Sequence, residues 1–175
     1  WAQLTDPLFF LTWIPLYYSE ALGFSIMKVA ALSLALPLGM GIGPVLSGWI
    51  SDKFFGAKRY QMASSLLMTA AACTVMMGFI PPANLVLGGI FLFLVGLSIF
   101  GGEGPIWALC ADLAGKNQTG TAAGIMEWVA YMFAALQAVV LGAILTLTGG
   151  NWKLLFVLVA IIQLIGVRAI WAVKR

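Results

Sequence analysis

Glu103 and Glu127 stand inside long apolar stretches, which makes them the residues most able to do chemistry. An ionisable side chain at membrane depth is expensive, and it usually faces a bundle interior or a water-filled path. Burial disfavours its charge, so either carboxylate can exchange a proton as its surroundings open and close. Glu127 falls on one helical face with Gly120, Gly124, Tyr131, Ala134 and Ala138, at steps of three and four. Glu103 shares a face with Gly96, Ile99, Trp107 and Cys110, and Asp6, Phe10, Trp13, Tyr17 and Glu20 form a third stripe. These stripes predict an aqueous cavity lined by Glu103 and Glu127, with Trp13, Tyr17, Trp107 and Tyr131 as substrate-binding walls. Small-residue stripes are equally helix-packing faces, and either glutamate has a structural alternative, pairing with Lys116 or Arg168.

Other chemistries are poorly served. With no histidine, His-based triads and HExxH zinc sites are excluded. Cys73 and Cys110 lie in apolar runs, where cysteine packs as a small hydrophobe. An intramembrane enzyme would have to use Glu103 and Glu127 as a dyad, and neither lies in a catalytic motif. No enzyme activity, cofactor or metal is expected.

The elements that position these groups follow from composition. Of 175 residues, 62% are hydrophobic and 9% charged, with a mean hydropathy of +1.04. Soluble domains carry about a quarter charged residues, so the chain is an all-α integral membrane protein. Six spans are expected, at about 4–22, 29–51, 60–80, 85–111, 121–148 and 154–172. Each approaches or exceeds the ~20 residues that cross a bilayer as a helix. The runs are continuous, unlike the alternation of barrel strands. Gly23-Phe24-Ser25, Pro81-Pro82 and Gly149-Gly150-Asn151 mark turns on one side. Pro37 to Pro44 should interrupt the second span, and Gly101 to Pro105 the fourth. The third span, without charge, is expected to be peripheral and lipid-facing.

Charge sets the orientation. Lys53, Lys58, Arg59, Lys116, Lys174 and Arg175 lie on one side with Arg168 close by, against Lys28 and Lys153 on the other. By the positive-inside rule the first side is cytoplasmic, with both ends of the chain. The net charge of +3 therefore reflects bilayer anchoring, and no nucleic-acid partner is expected. The start at Trp1, inside a hydrophobic run, points to a piece of a longer polypeptide.

The strongest local signal runs from Gly48-Trp49-Ile50-Ser51-Asp52-Lys53 to Gly56-Ala57-Lys58-Arg59. A carboxylate at a helix C-terminus opposes the dipole and needs a compensating partner. Gly48 would permit close helix approach, and the basic residues would anchor the loop at headgroups. The plainer alternative is an ordinary cytoplasmic loop.

This segment resembles the Gly-x-x-x-Asp-Arg-x-Gly-Arg loop of the major facilitator superfamily, with lysine for the first arginine and one extra residue before Gly56. The resemblance covers essentially the whole chain. It implies the C-terminal six-helix half, a 3+3 inverted repeat spanning 1–175, of a twelve-helix fold. Within the superfamily the chain is similar to the organophosphate:phosphate antiporters. Trp13-Ile14-Pro15-Leu16-Tyr17-Tyr18-Ser19-Glu20 resembles their W-x-P-x-Y-x-x-E. Gly48-Trp49-Ile50-Ser51-Asp52-Lys53 resembles G-W-x-S-D-K, and Gly120-Thr121-Ala122-Ala123-Gly124 resembles G-T-A-A-G.

The resemblance implies a secondary transporter of the bacterial inner membrane, working by alternating access as a symporter or antiporter coupled to protons or a counter-anion. Gly48, Asp52, Lys53, Lys58 and Arg59 would then form the cytoplasmic gating motif. The partners would be a small-molecule substrate, the lipid bilayer, and a missing N-terminal half or a second copy. The family's phosphate-binding arginine, eight residues before the proline of W-x-P, is here Pro7. Arginine's planar fork suits phosphate, and its loss argues for a less highly charged substrate: a sugar acid, another organic anion or a neutral polyol. A transporter-like membrane sensor, reporting through a partner, has the same helices.

Overall fold

A computed structural model describes residues 2–54, 59–79, 84–115 and 117–172, all helix and connecting turns. The helices are α1 (Ala2–Leu16), α2 (Ile26–Ser33), α3 (Ala35–Phe54), α4 (Arg59–Met77), α5 (Leu85–Ala114), α6 (Thr119–Leu147) and α7 (Trp152–Ala172). A single π-helical turn, Tyr17–Ala21, extends α1. Helix occupies each of the six stretches expected as spans, with the second divided into α2 and α3. By length and composition four stretches among the described residues can cross a membrane: Ile26–Ser51, α5, α6 and α7.

The break in the second span lies at Leu34, ahead of the expected prolines. Pro37 has no N–H to give to residue 33, and its ring crowds that carbonyl. The hydrogen bonds from Leu34 N to Ala30 O (3.2 Å) and from Leu38 N to Leu34 O (3.2 Å) bracket the gap. The expected interruption of the fourth span is not seen: α5 continues through Gly101–Pro105 as one helix of 30 residues. Gly149 and Gly150, with φ of 65° and 86°, close the α6–α7 turn, where the Gly150 N–H donates to Leu145 O at 2.9 Å. Such positive φ values suit glycine at helix C-termini. The Pro81-Pro82 turn lies outside the described residues.

α3 packs along α5, α5 along α4, and α4 along α7, while α6 leans lightly on both α1 and α5. Small residues make the first contact close. A β-carbon at Gly39 would collide with the Phe93 carbonyl, one at Gly43 with the Leu97 carbonyl, and one at Gly96 with the Leu36 carbonyl. Part of the Glu103 stripe, at Gly96 and Ile99, is therefore a buried packing face. Gly48, expected to allow close approach, has nothing within 4 Å of the place a β-carbon would take. The close approaches are made further up the helix instead.

α4 also departs from expectation. Met62, Ala63, Leu67, Ala70, Cys73 and Met77 are buried, so one face packs against α5 and α7 while Met68 and Met76 stay exposed. Its hydroxyls are satisfied within the helix: Ser64 Oγ donates to Gln61 O (2.9 Å), Ser65 Oγ to Met62 O (2.9 Å) and Thr74 Oγ1 to Ala70 O (2.7 Å). Backbone-directed hydroxyls let a helix carry polar residues without exposing them. The core between α1, α5 and α7 is built from Phe9, Phe10, Ile14, Val95, Ile99 and Phe156.

Candidate functional site

The small-residue stripe on α6 divides: Gly120 and Gly124 face open space, whereas Tyr131, Ala134 and Ala138 face a cleft toward α1. Gly120, Gly124, Tyr131 and Ala138 are exposed or partly so, and Glu127 and Ala134 half-buried. Nothing lies within 4 Å of a β-carbon placed at Gly120 or Gly124. Only 11% of the apolar window of α6 is buried, and Trp128, Tyr131 and Met132 stand on its open surface. Gly120 and Gly124 are not used for close packing within the described residues.

Glu103, half-buried on α5, lies within Coulombic reach of Glu127 on α6. The Oε2 atom of Glu127 is buried with no hydrogen-bond partner. Arg168, one of the two cations suggested as a partner, is exposed on α7, and Lys116 lies outside the described residues. Two carboxyls on adjoining helices, without an intervening cation among the described residues, repel when both are charged. That pair is the clearest electrostatic feature the sequence had singled out.

The four aromatic candidates divide. Trp13 and Tyr131 line a cleft of about 380 Å³ between α1 and α6, with Thr12 and Gln137 as its other polar residues. Trp13 is held edge-on to Trp152, ring centroids 6.3 Å apart. Tyr17 sits instead in an aromatic cluster, with ring centroids 5.4 Å from Trp152 and 5.2 Å from Phe156. Trp107 is half-buried on α5 and does not line the cleft. The sequence grouping thus holds together for Trp13 and Tyr131, while Tyr17 is engaged by α7.

Of the loop residues, Gly48 and Lys53 are exposed near the end of α3, and Lys53 Nζ lies 4.7 Å from the Trp49 ring centroid. A cation over an indole face is attracted by the ring quadrupole. Arg59 opens α4. The side chains of Asp52 and Arg59, and residues 55–58, lie outside the described set.

Sequence reasoning missed the polar residues that join Asp6. Asp6, on the aromatic stripe of α1, is buried against α7, where Gln163 is its polar neighbour. Gln137 of α6 lies between this point and the cleft, lining cavities on both sides of itself. The signal was present as single uncharged amides in the fifth and sixth spans.

Residues 2–138 match the family profile described as Major Facilitator Superfamily. The chain is 37% identical over 122 residues to the glycerol-3-phosphate transporter of Bacillus subtilis (strain 168), covering 69% of this chain and 27% of that protein. It is 29% identical over 153 residues to the membrane sensor protein UhpC of Escherichia coli (strain K12), covering 85% and 34%. It is 26% identical over 170 residues to the hexuronate transporter of the same organism, covering 95% and 39%. The chain thus spans about a third of the length of the curated relatives it matches.

Proposed function

Because the chain belongs to the Major Facilitator Superfamily, we propose that it is the C-terminal six-helix half, residues 1–175, of a twelve-helix secondary transporter. It moves a small polar organic anion by alternating access. The observation that carries this reading is the open face of α6, where Gly120, Gly124 and Tyr131 stand free beside the half-buried Glu127. A second six-helix half, or a second copy, would cover that face and close the other wall of the cavity. Substrate then binds near the bilayer midplane between the halves, as repeat-built transporters do.

In this reading Trp13 and Tyr131 form a binding wall on one side of α6, Tyr17 supports Trp13 through their shared neighbour Trp152, and Trp107 on α5 lies apart from the cleft. Glu103 and Glu127 exchange the coupling proton, their mutual repulsion favouring one shared proton over two charges. Gly48, Asp52, Lys53, Lys58 and Arg59 latch the cytoplasmic side, where both ends of the chain lie. The substrate class is a sugar acid, a sugar phosphate or another organic anion. It is supported by the glycerol-3-phosphate and hexuronate transporters among the relatives, with Pro7 in the phosphate-arginine position favouring the less charged choices.

Reconstitution in liposomes tests this. Radiolabelled hexuronate and glycerol 3-phosphate are offered with and without an imposed proton gradient. Accumulation of either, driven by the gradient or by a trans anion, supports the proposal; binding without flux sinks it. That second outcome favours a sensor, a reading supported by the likeness to the membrane sensor protein UhpC.

A further inference from the structure

Thr12 and Gln137, the polar companions of Trp13 and Tyr131 in the cleft between α1 and α6, have no part in the transport reading above. The cleft measures about 380 Å³, within the roughly 300–1,000 Å³ of small-molecule sites. Trp13 is held in place there. Its ring lies edge-on to Trp152, and Gly142 leaves room for it, since a β-carbon at that position would already come 3.5 Å from the indole. A fixed indole offers a large, rigid contact surface at low entropic cost, and it suits the C–H face of a saturated ring.

The hydrogen-bonding capacity of this cleft is selective. Thr12 Oγ1 gives its one proton to Leu8 O at 2.6 Å, so toward a further partner it can only accept. Oε1 of Gln137 is buried without a hydrogen-bond partner, and such atoms are rare and costly. The last torsion of a glutamine is broad and roughly two-fold, so either end of the amide can turn to a ligand. No charged side chain lines the cleft among the described residues, and Asp6 borders the neighbouring cavity instead. A carboxylate or phosphate seated here would be desolvated with no cation to offset it, and it has no proton to give to either oxygen. An alcohol fits both partners: it donates to Thr12 Oγ1 or Gln137 Oε1 and accepts from the amide N–H.

We propose that this cleft takes the uncharged, hydroxyl-bearing body of the substrate, and that Gln137 selects a hydroxylated anion over one of similar size and charge without hydroxyls. Trp13 and Tyr131 pack against the carbon skeleton, Thr12 and Gln137 take up its hydroxyls, and the anionic group lies outside the cleft. The inference rests on the binding wall assigned above to Trp13 and Tyr131. It narrows the substrate class to polyhydroxy anions, such as sugar acids and polyol phosphates, and makes simple alkyl acids poor ligands.

Equilibrium binding to the intact protein in detergent tests this without requiring flux. Two matched pairs serve as probes: glucuronate with cyclohexanecarboxylate, and glycerol 3-phosphate with n-propyl phosphate. The members of each pair share their anionic group and differ chiefly in hydroxyls. In at least one pair the hydroxylated member should bind about tenfold more tightly, because a site built to bond a hydroxyl is left unpaired by the analogue lacking it. Gln137→Leu should bring that ratio to within about threefold by weakening the hydroxylated member alone, and Thr12→Val should lower it less. Unliganded Gln137→Leu should melt no lower than the parent protein, since it removes a buried polar atom that has no partner.

A ratio near one in both pairs overturns the inference, as does failure of both hydroxylated probes to bind. Tighter binding of cyclohexanecarboxylate or n-propyl phosphate overturns it too, and would make the cleft a seat for an apolar group or an acyl chain. So does a ratio that survives in Gln137→Leu, or a lowered melting temperature of that unliganded variant, which would mean that the amide is paired inside the protein. The transport reading fails separately. Discrimination without flux in liposomes keeps the role of Gln137 and removes transport, whereas flux of hexuronate without discrimination does the reverse.

Discussion

Gly96 of α5 lies directly against the carbonyl of Leu36 of α3, with no room for a β-carbon between the two backbones. Overpacking of so close a contact costs roughly 1–3 kcal/mol. Gly96→Ala and Gly43→Ala should therefore lower the apparent melting temperature in detergent by several degrees. Gly120→Ala and Gly124→Ala, at positions with open space around them, should change it by less than about 0.5 kcal/mol equivalent. Equal losses at all four positions would contradict the distinction between packed and open glycines.

Tyr17 and Tyr131 should behave as opposites. Tyr17, partly buried, contacts Trp152 and Phe156, and truncating such a side chain costs about 1–3 kcal/mol. Tyr17→Ala should mainly reduce folded yield and thermal stability. Tyr131 is exposed on the wall of the α1–α6 cleft. Tyr131→Ala should leave stability nearly unchanged and raise the KM for transport by about tenfold, the equivalent of a lost stacking contact of roughly 1.4 kcal/mol. An unaltered KM would take Tyr131 out of the binding wall.

Glu103→Gln and Glu127→Gln preserve shape while removing a titrating group. Each should reduce substrate-driven proton uptake by roughly tenfold or more, as expected when an intramembrane proton site is lost. Counterflow exchange of substrate, which needs no net proton movement, should persist in at least one of the two. Proton uptake that survives in both variants would leave coupling to other residues.

Asp52→Asn keeps the size of the side chain at the end of α3 and removes its charge. The latch reading expects slower transport with unchanged substrate binding, together with greater reactivity of cysteines introduced near the cytoplasmic ends. Lys53→Ala should have a smaller effect on stability, since an exposed cation–π contact such as that with Trp49 is worth about 0.5–1 kcal/mol. Unchanged cysteine reactivity in Asp52→Asn would reduce the segment to an ordinary loop.

Hydropathy made the spans legible because long apolar runs have few alternatives to helix, and their limits fall within a few residues of the helices observed. Proline made the break in the second span legible but misplaced it. The residue that loses its bonding partner is four positions before Pro37, not at the ring. The two-sidedness of α4 was hidden, since Ser64 and Thr74 look merely polar in sequence, and their hydroxyls are spent on the helix's own carbonyls. The nearness of Glu103 and Glu127 could be expected from their depth. The joining of Asp6 to Gln163 could not, because it depends on how α7 turns in its packing, and one buried amide leaves little trace in a hydropathy profile.

The uneven packing of the helices has a mechanical consequence. α3, α5, α4 and α7 are joined in succession along extensive faces, whereas α6 is seated lightly, on α1 and α5. A displacement concentrated at α6 would disrupt far fewer side-chain contacts than one that separated α3 from α5. The chain therefore divides into a stiff block and a lightly attached arm. The arm carries Glu127, Tyr131 and Gln137, so a movement that leaves the block intact changes the surroundings of all three at once.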